Sequence, residues 1–81
     1  MKIDAKVEFS PAKEKELNRS WFRIPVDIDY VEDNESSVNE WVANELEEAF
    51  GRKFMLDDFT VTNMDEVLEE IKFDEFDKKA N

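Results

Sequence analysis

The chain contains no cysteine and no histidine, a single glycine and only two prolines. Without cysteine there are no disulfides and no thiol nucleophiles. Without histidine there is no imidazole base, and the two absences together remove the usual zinc ligands. Long apolar runs are missing too: the longest, such as Phe54-Met55-Leu56, are far too short to span a bilayer, and Met1-Lys2-Ile3-Asp4 does not open like a signal peptide. These absences predict a soluble, cytoplasmic protein with no membrane partner, no cofactor and no resident metal. A third absence is local. From Ile24 to Gly51 the chain carries nine acidic residues and no basic one.

What is present is enough to fold. The 81 residues make one small domain, with 41% hydrophobic residues, seven Phe and two Trp, more core material than an acidic disordered segment carries. The net charge is −11, unevenly spread. Residues 1–23 hold six bases and four acids, whereas residues 24–81 hold five bases and eighteen acids. A field of that sign repels nucleic acid and anionic membrane and steers the chain toward basic protein surfaces. Direct nucleic-acid binding is therefore not expected.

Periodicity divides the chain into elements. Ile3, Ala5, Val7 and Phe9 alternate with Lys2, Asp4, Lys6 and Glu8, the pattern of a strand with one buried face. Ser10 before Pro11 fits an N-cap and a first helical position, so residues 11–18 form either a short polar helix or a plain loop after the strand. Phe22, Ile24, Val26, Ile28 and Tyr30 predict a second strand with these residues inward and Trp21, Arg23, Pro25, Asp27 and Asp29 outward. Pro25 places it at an edge or a bulge. Ser37-Val38-Asn39-Glu40 reads as a capping box, opening a helix that buries Val38, Val42, Leu46, Ala49 and Phe50 and stops at Gly51. Trp41 falls on the rim of that stripe beside Glu45 and Glu48. A third strand over 54–61 changes face across Asp57-Asp58, as at a bulge. Asn63 to Glu66 then caps a last helix burying Met64, Val67, Leu68 and Ile71. This helix is expected to end near Lys72 or Phe73, leaving 74–81 as a flexible acidic tail. The order β-β-α-β-α predicts an α+β fold, a three-stranded sheet covered on one face by two amphipathic helices. A right-handed crossover would make the second and third strands parallel if they are neighbours.

The stretch VDIDYVEDNE, residues 26–35, poses the functional question, since it holds Asp27, Asp29, Glu32, Asp33 and Glu35 together. Asp27 and Asp29 start like an EF-hand loop, but the fifth, sixth and twelfth positions are then Val31, Glu32 and Val38, where a ligand, a glycine and a bidentate glutamate are needed. Paired carboxylates can do acid–base hydrolysis only where burial raises one pKa, and these lie on polar faces. No enzyme activity is predicted. Ordinary solvation explains scattered acids. It explains a base-free block less well, because Glu–Lys pairing would stabilise a helix better.

The acidic tracts DIDYVEDNE, NEWVANELEE and MDEVLEEIKFDEFD, in a small cysteine-free chain, resemble the small acidic phage-type inhibitors, which include anti-CRISPR proteins and other DNA mimics. In such proteins carboxylates stand in for phosphates and occupy a host protein's nucleic-acid groove. The resemblance implies an inhibitor of a nucleic-acid-binding enzyme or other basic protein. Its contacts would be Asp27, Asp29, Glu32, Asp33, Glu35, Glu40, Trp41, Glu45, Glu47 and Glu48. Lys2, Lys6, Lys13, Lys15, Arg19 and Arg23 depart from the pattern and point to one acidic face rather than an acidic whole. The alternative is a small adaptor or regulatory subunit docking through Trp21, Trp41 or Phe73 and Phe76.

Overall fold

The computed structural model describes the backbone of residues 1–80 and the side chains of residues 1–74. Its elements follow the order β1 (Lys2–Phe9), α1 (Pro11–Leu17), β2 (Trp21–Asp27), a 3₁₀ turn (Ile28–Tyr30), α2 (Glu35–Phe50), a second 3₁₀ turn (Leu56–Asp58), β3 (Phe59–Val61) and α3 (Met64–Ala80). This is the expected α+β arrangement, with the short helix in place between the first two strands. Ser10 caps α1 by accepting from the Lys13 N–H, and Pro11 takes the first turn, where a missing N–H costs no bond.

The sheet order is β2-β1-β3, with both pairs antiparallel. β1 lies between the other two, so no crossover joins β2 to a parallel neighbour. Alternation sends Ala5, Val7, Phe9, Ile24, Val26, Phe59 and Val61 to one face, where they are buried with Val38, Val42 and Leu46 of α2 and Val67 and Ile71 of α3. Phe9, Phe22, Phe50 and Phe54 pack at one end with ring centroids 5.0–6.1 Å apart. The helices cover only that face. Trp21, Arg23, Pro25, Lys6, Glu8 and Thr60 remain exposed on the other.

Five local expectations are corrected. β2 ends at Asp27 instead of running through Tyr30. Its partner runs out there, since Lys2 faces Asp27 and the last bond is Ile28 N–H to Met1 C=O. The Asp27 carboxylate accepts from the Asp29 N–H at 3.2 Å and turns the chain into the 3₁₀ segment. Ile28 stays buried, but Tyr30 swings out to 77% exposure.

α2 starts at Glu35, not at the predicted capping box. Asn34 is the N-cap and accepts from Ser37 N–H at 2.8 Å, while Ser37 Oγ accepts from Glu32 N–H at 2.9 Å. Asn caps as well as Ser, so the earlier start satisfies one more turn of backbone. Within α2, Ala49 is exposed, and Ala43 packs against the core instead. Gly51 ends the helix as expected, at φ 66°, a conformation that costs a glycine little.

The third strand is short. The chain does bend at Asp57-Asp58 as expected, but as a 3₁₀ turn rather than a bulge within a strand: the Asp58 carboxylate accepts from Met55 N–H at 2.8 Å and closes it, leaving Leu56 exposed. Asn63 then extends the β1·β3 ladder with its side chain: Lys6 N–H donates to its Oδ1 at 2.7 Å, and its Nδ2 donates to Asp4 C=O at 2.8 Å. Finally, α3 continues to Ala80, past the end expected near Lys72 or Phe73. The flexible tail expected at 74–81 falls almost wholly on residues whose side chains, or in the case of Asn81 whose structure altogether, lie outside the described residues.

Candidate functional site

The acids of 26–35 and of α2 form the candidate site, and the fold treats them in two groups. Asp27 and Asp29 turn toward the chain's own amino terminus. The Met1 ammonium lies 3.1 Å from Asp29 Oδ2 and 3.7 Å from Asp27 Oδ1, and the Asp27 side chain is only 19% exposed. The hydrogen bond to Asp29 raises the pKa of that ammonium above its usual 8.0, with further attraction from Asp29, Asp27 and Asp74. Asp27 keeps the expected outward phase at the end of β2, whereas Asp29 lies beyond the strand in the 3₁₀ turn, and both carboxylates lie against the amino terminus.

The second group faces solvent. Glu32, Asp33, Glu35, Glu40, Glu47 and Glu48 are exposed and Glu45 is half-buried. None of the seven takes part in an ion pair among the described residues. Glu32 does accept from Asn34 Nδ2 at 3.3 Å. With Val38, Val42 and Leu46 turned to the core, helical spacing puts Glu40, Asn44 and Glu47 in one row and Trp41, Glu45 and Glu48 in the next.

The density of this charge can be compared with a polynucleotide. Five acids lie on the sixteen residues of α2, a length of about 24 Å at 1.5 Å per residue. That is one charge per roughly 5 Å, against one per about 3.4 Å along a single strand of B-DNA. Their placement does not favour the helix. Glu35 suits the positive N-terminal end, but Glu47 and Glu48 sit at the negative C-terminal end, where no basic residue occupies the last turn. Charges of the wrong sign at a helix end cost about 0.3–1 kcal/mol each.

Trp41, expected at the contact surface, is half-buried and packs against the core, and its indole Nε1–H donates to Pro25 C=O at 3.1 Å. Its hydrogen-bonding edge is committed inside the fold. Among the described residues, the aromatic side chains that face outward are Trp21 at 55% exposure, Tyr30 at 77% and Phe73 at 66%. Period-two reasoning placed Tyr30 in the core and so missed it. The available signal was its sequence context, four acids within three positions on either side.

Among the described residues no group of acids is arranged to hold a metal ion, and no helix is long and apolar enough to cross a membrane. Comparison of the chain with protein-family models, with curated proteins and with solved structures gave no match.

Proposed function

We propose that this protein is an acidic inhibitor that occupies a basic, nucleic-acid-binding surface of another protein, presenting the carboxylates of the 32–35 loop and α2 in place of phosphates. The supporting observation is the row of acids on α2 that form no ion pair among the described residues, including two at the helix end where their charge opposes stability. A groove built to neutralise phosphates gains the same Coulomb and counterion-release contributions from a rigid carboxylate array. The contact set is Glu32, Asp33, Glu35, Glu40, Glu45, Glu47 and Glu48, with Asp27 and Asp29 shaping the turn that starts it.

The test is capture of a partner from host lysate on the immobilised chain, followed by challenge with double-stranded DNA or RNA at constant ionic strength. Displacement by nucleic acid is the expected result. A partner that stays bound under that challenge contradicts the proposal.

The bare face of the sheet favours a second reading, an adaptor docking through Trp21. That residue is 55% exposed, with the Arg23 guanidinium 5.7 Å from its ring, and Trp is a frequent anchor of interfaces. If this reading is right, Trp21→Ala abolishes capture, the acid substitutions spare it and nucleic acid does not compete.

A further inference from the structure

Between the 3₁₀ turn and the start of α2 lies a small hollow of about 170 Å³, lined by Tyr30, Val31, Ser37, Glu40, Trp41 and Asn44. The volume suits one side-chain head rather than a cofactor. Its composition is specific. Two aromatic side chains line it, Val31 is buried, Glu40 supplies an exposed carboxylate and Asn44 an amide. Trp41 is held in place by its bond to Pro25, and Ser37 by the bond its hydroxyl accepts from Glu32 N–H. Two parts of the lining are thus ordered before anything binds, which reduces the entropy a ligand must overcome.

Charge decides what the hollow takes. No basic residue occurs between Ile24 and Gly51, so the surrounding field favours a cation. Aromatic rings and a carboxylate together match a planar guanidinium, which stacks on rings and makes two parallel hydrogen bonds to a carboxylate. An ammonium is more strongly hydrated and gains less from such walls.

We propose that this hollow is a binding pocket for an arginine side chain of the partner. The pocket rests on the reading of the acidic face as a contact for a basic protein, and adds to it the residue type that seats beside α2. Tyr30 then acts as the exposed wall that closes over the guanidinium, and Glu40 as its carboxylate.

The experiment is an NMR titration of the full chain with L-arginine amide and, separately, L-lysine amide, following the Trp41 indole N–H and the backbone amides of residues 30–44. Arginine amide is expected to shift these signals as one site, with an affinity about fivefold or more above that of lysine amide. Tyr30→Ala and Glu40→Gln should each weaken arginine amide binding by about five- to tenfold. Both residues are exposed, so the fold survives their replacement. Glu69→Gln, an exposed carboxylate on α3 outside both the hollow and the contact set, should leave the titration unchanged. Equal binding of the two amides, or arginine shifts that persist undiminished in Tyr30→Ala, overturns the proposal. If arginine amide fails to bind while nucleic acid still displaces the captured partner, the pocket is wrong and the mimicry reading stands. The reverse pattern refutes the mimicry alone.

Discussion

The indole N–H of Trp41 donates to the carbonyl oxygen of Pro25 over 3.1 Å, joining α2 to the outer edge of β2. In an antiparallel strand a residue's N–H and C=O point to the same side. The Pro25 carbonyl turns away from β1 to meet Trp41, so the N–H that proline lacks is one the ladder did not need. The same bond occupies part of an edge that is otherwise open to pairing with another chain.

Trp41→Phe keeps an aromatic ring and removes the donor. It is expected to destabilise the protein by about 0.5–1.5 kcal/mol, the net value of one hydrogen bond, measured by urea unfolding. A change within error would mean that water replaces the bond without loss. If instead partner capture is lost while stability holds, Trp41 acts chiefly at the interface.

The start of α2 makes a second prediction. Asn34→Ala removes the N-cap acceptor for Ser37 N–H and should lower stability by about 1 kcal/mol. Glu40→Ala, which would break the capping box suggested by Ser37-Val38-Asn39-Glu40, should have little effect on melting. The opposite ranking would place the helix start where the sequence alone suggested it.

The amphipathic periods of β1, α2 and α3 were legible because each buries one face and exposes the other, and the charge asymmetry needed only counting. The boundaries were harder to read for a shared reason: side chains of Asp and Asn compete with backbone partners. Asp27 ends β2, Asn34 moves the start of α2, Asp58 shortens β3 and Asn63 continues the ladder with its amide. Any of these can equally sit on a solvated face, so residue type alone does not select the role. The candidate acids were readable as a block. That Asp27 and Asp29 face the amino terminus while Tyr30 faces solvent follows from the turn, which period-two alternation does not encode.

Acid titration addresses α1. The carboxyl of Glu16 is held below its usual 4.5, first by its hydrogen bond with Lys13 and then by the charges of Lys13 and Arg52. A depressed carboxyl pKa stabilises the fold above the unfolded value, and that contribution fades as pH falls through the lowered folded value. Lys13→Met, which keeps an unbranched side chain and removes the ammonium that sits 4.9 Å from the Phe54 ring centroid, should move the Glu16 titration, followed by NMR, back toward 4.5. A Glu16 titration that does not move in this variant would show that the pair does not persist in solution.

Glu47 and Glu48 offer a test of stability against function. Replacing either by Lys puts a favourable charge at the C-terminal end of α2 and should stabilise the protein by about 0.3–1 kcal/mol at low salt, read as a higher melting temperature. Under the proposed function the same change weakens partner binding. Unchanged melting would remove the argument that these charges are kept against the interest of the helix.

The most direct test of the acidic face is the nucleic-acid displacement measurement made with a variant carrying Gln or Asn at Glu32, Asp33, Glu35, Glu40, Glu47 and Glu48. These side chains are exposed and form no ion pairs among the described residues, so circular dichroism and thermal melting should confirm an intact fold. The account predicts that DNA or RNA displaces the partner held by the parent chain and that the neutral variant captures none of it. Equal capture by parent and variant, with the fold intact in both, would contradict the account.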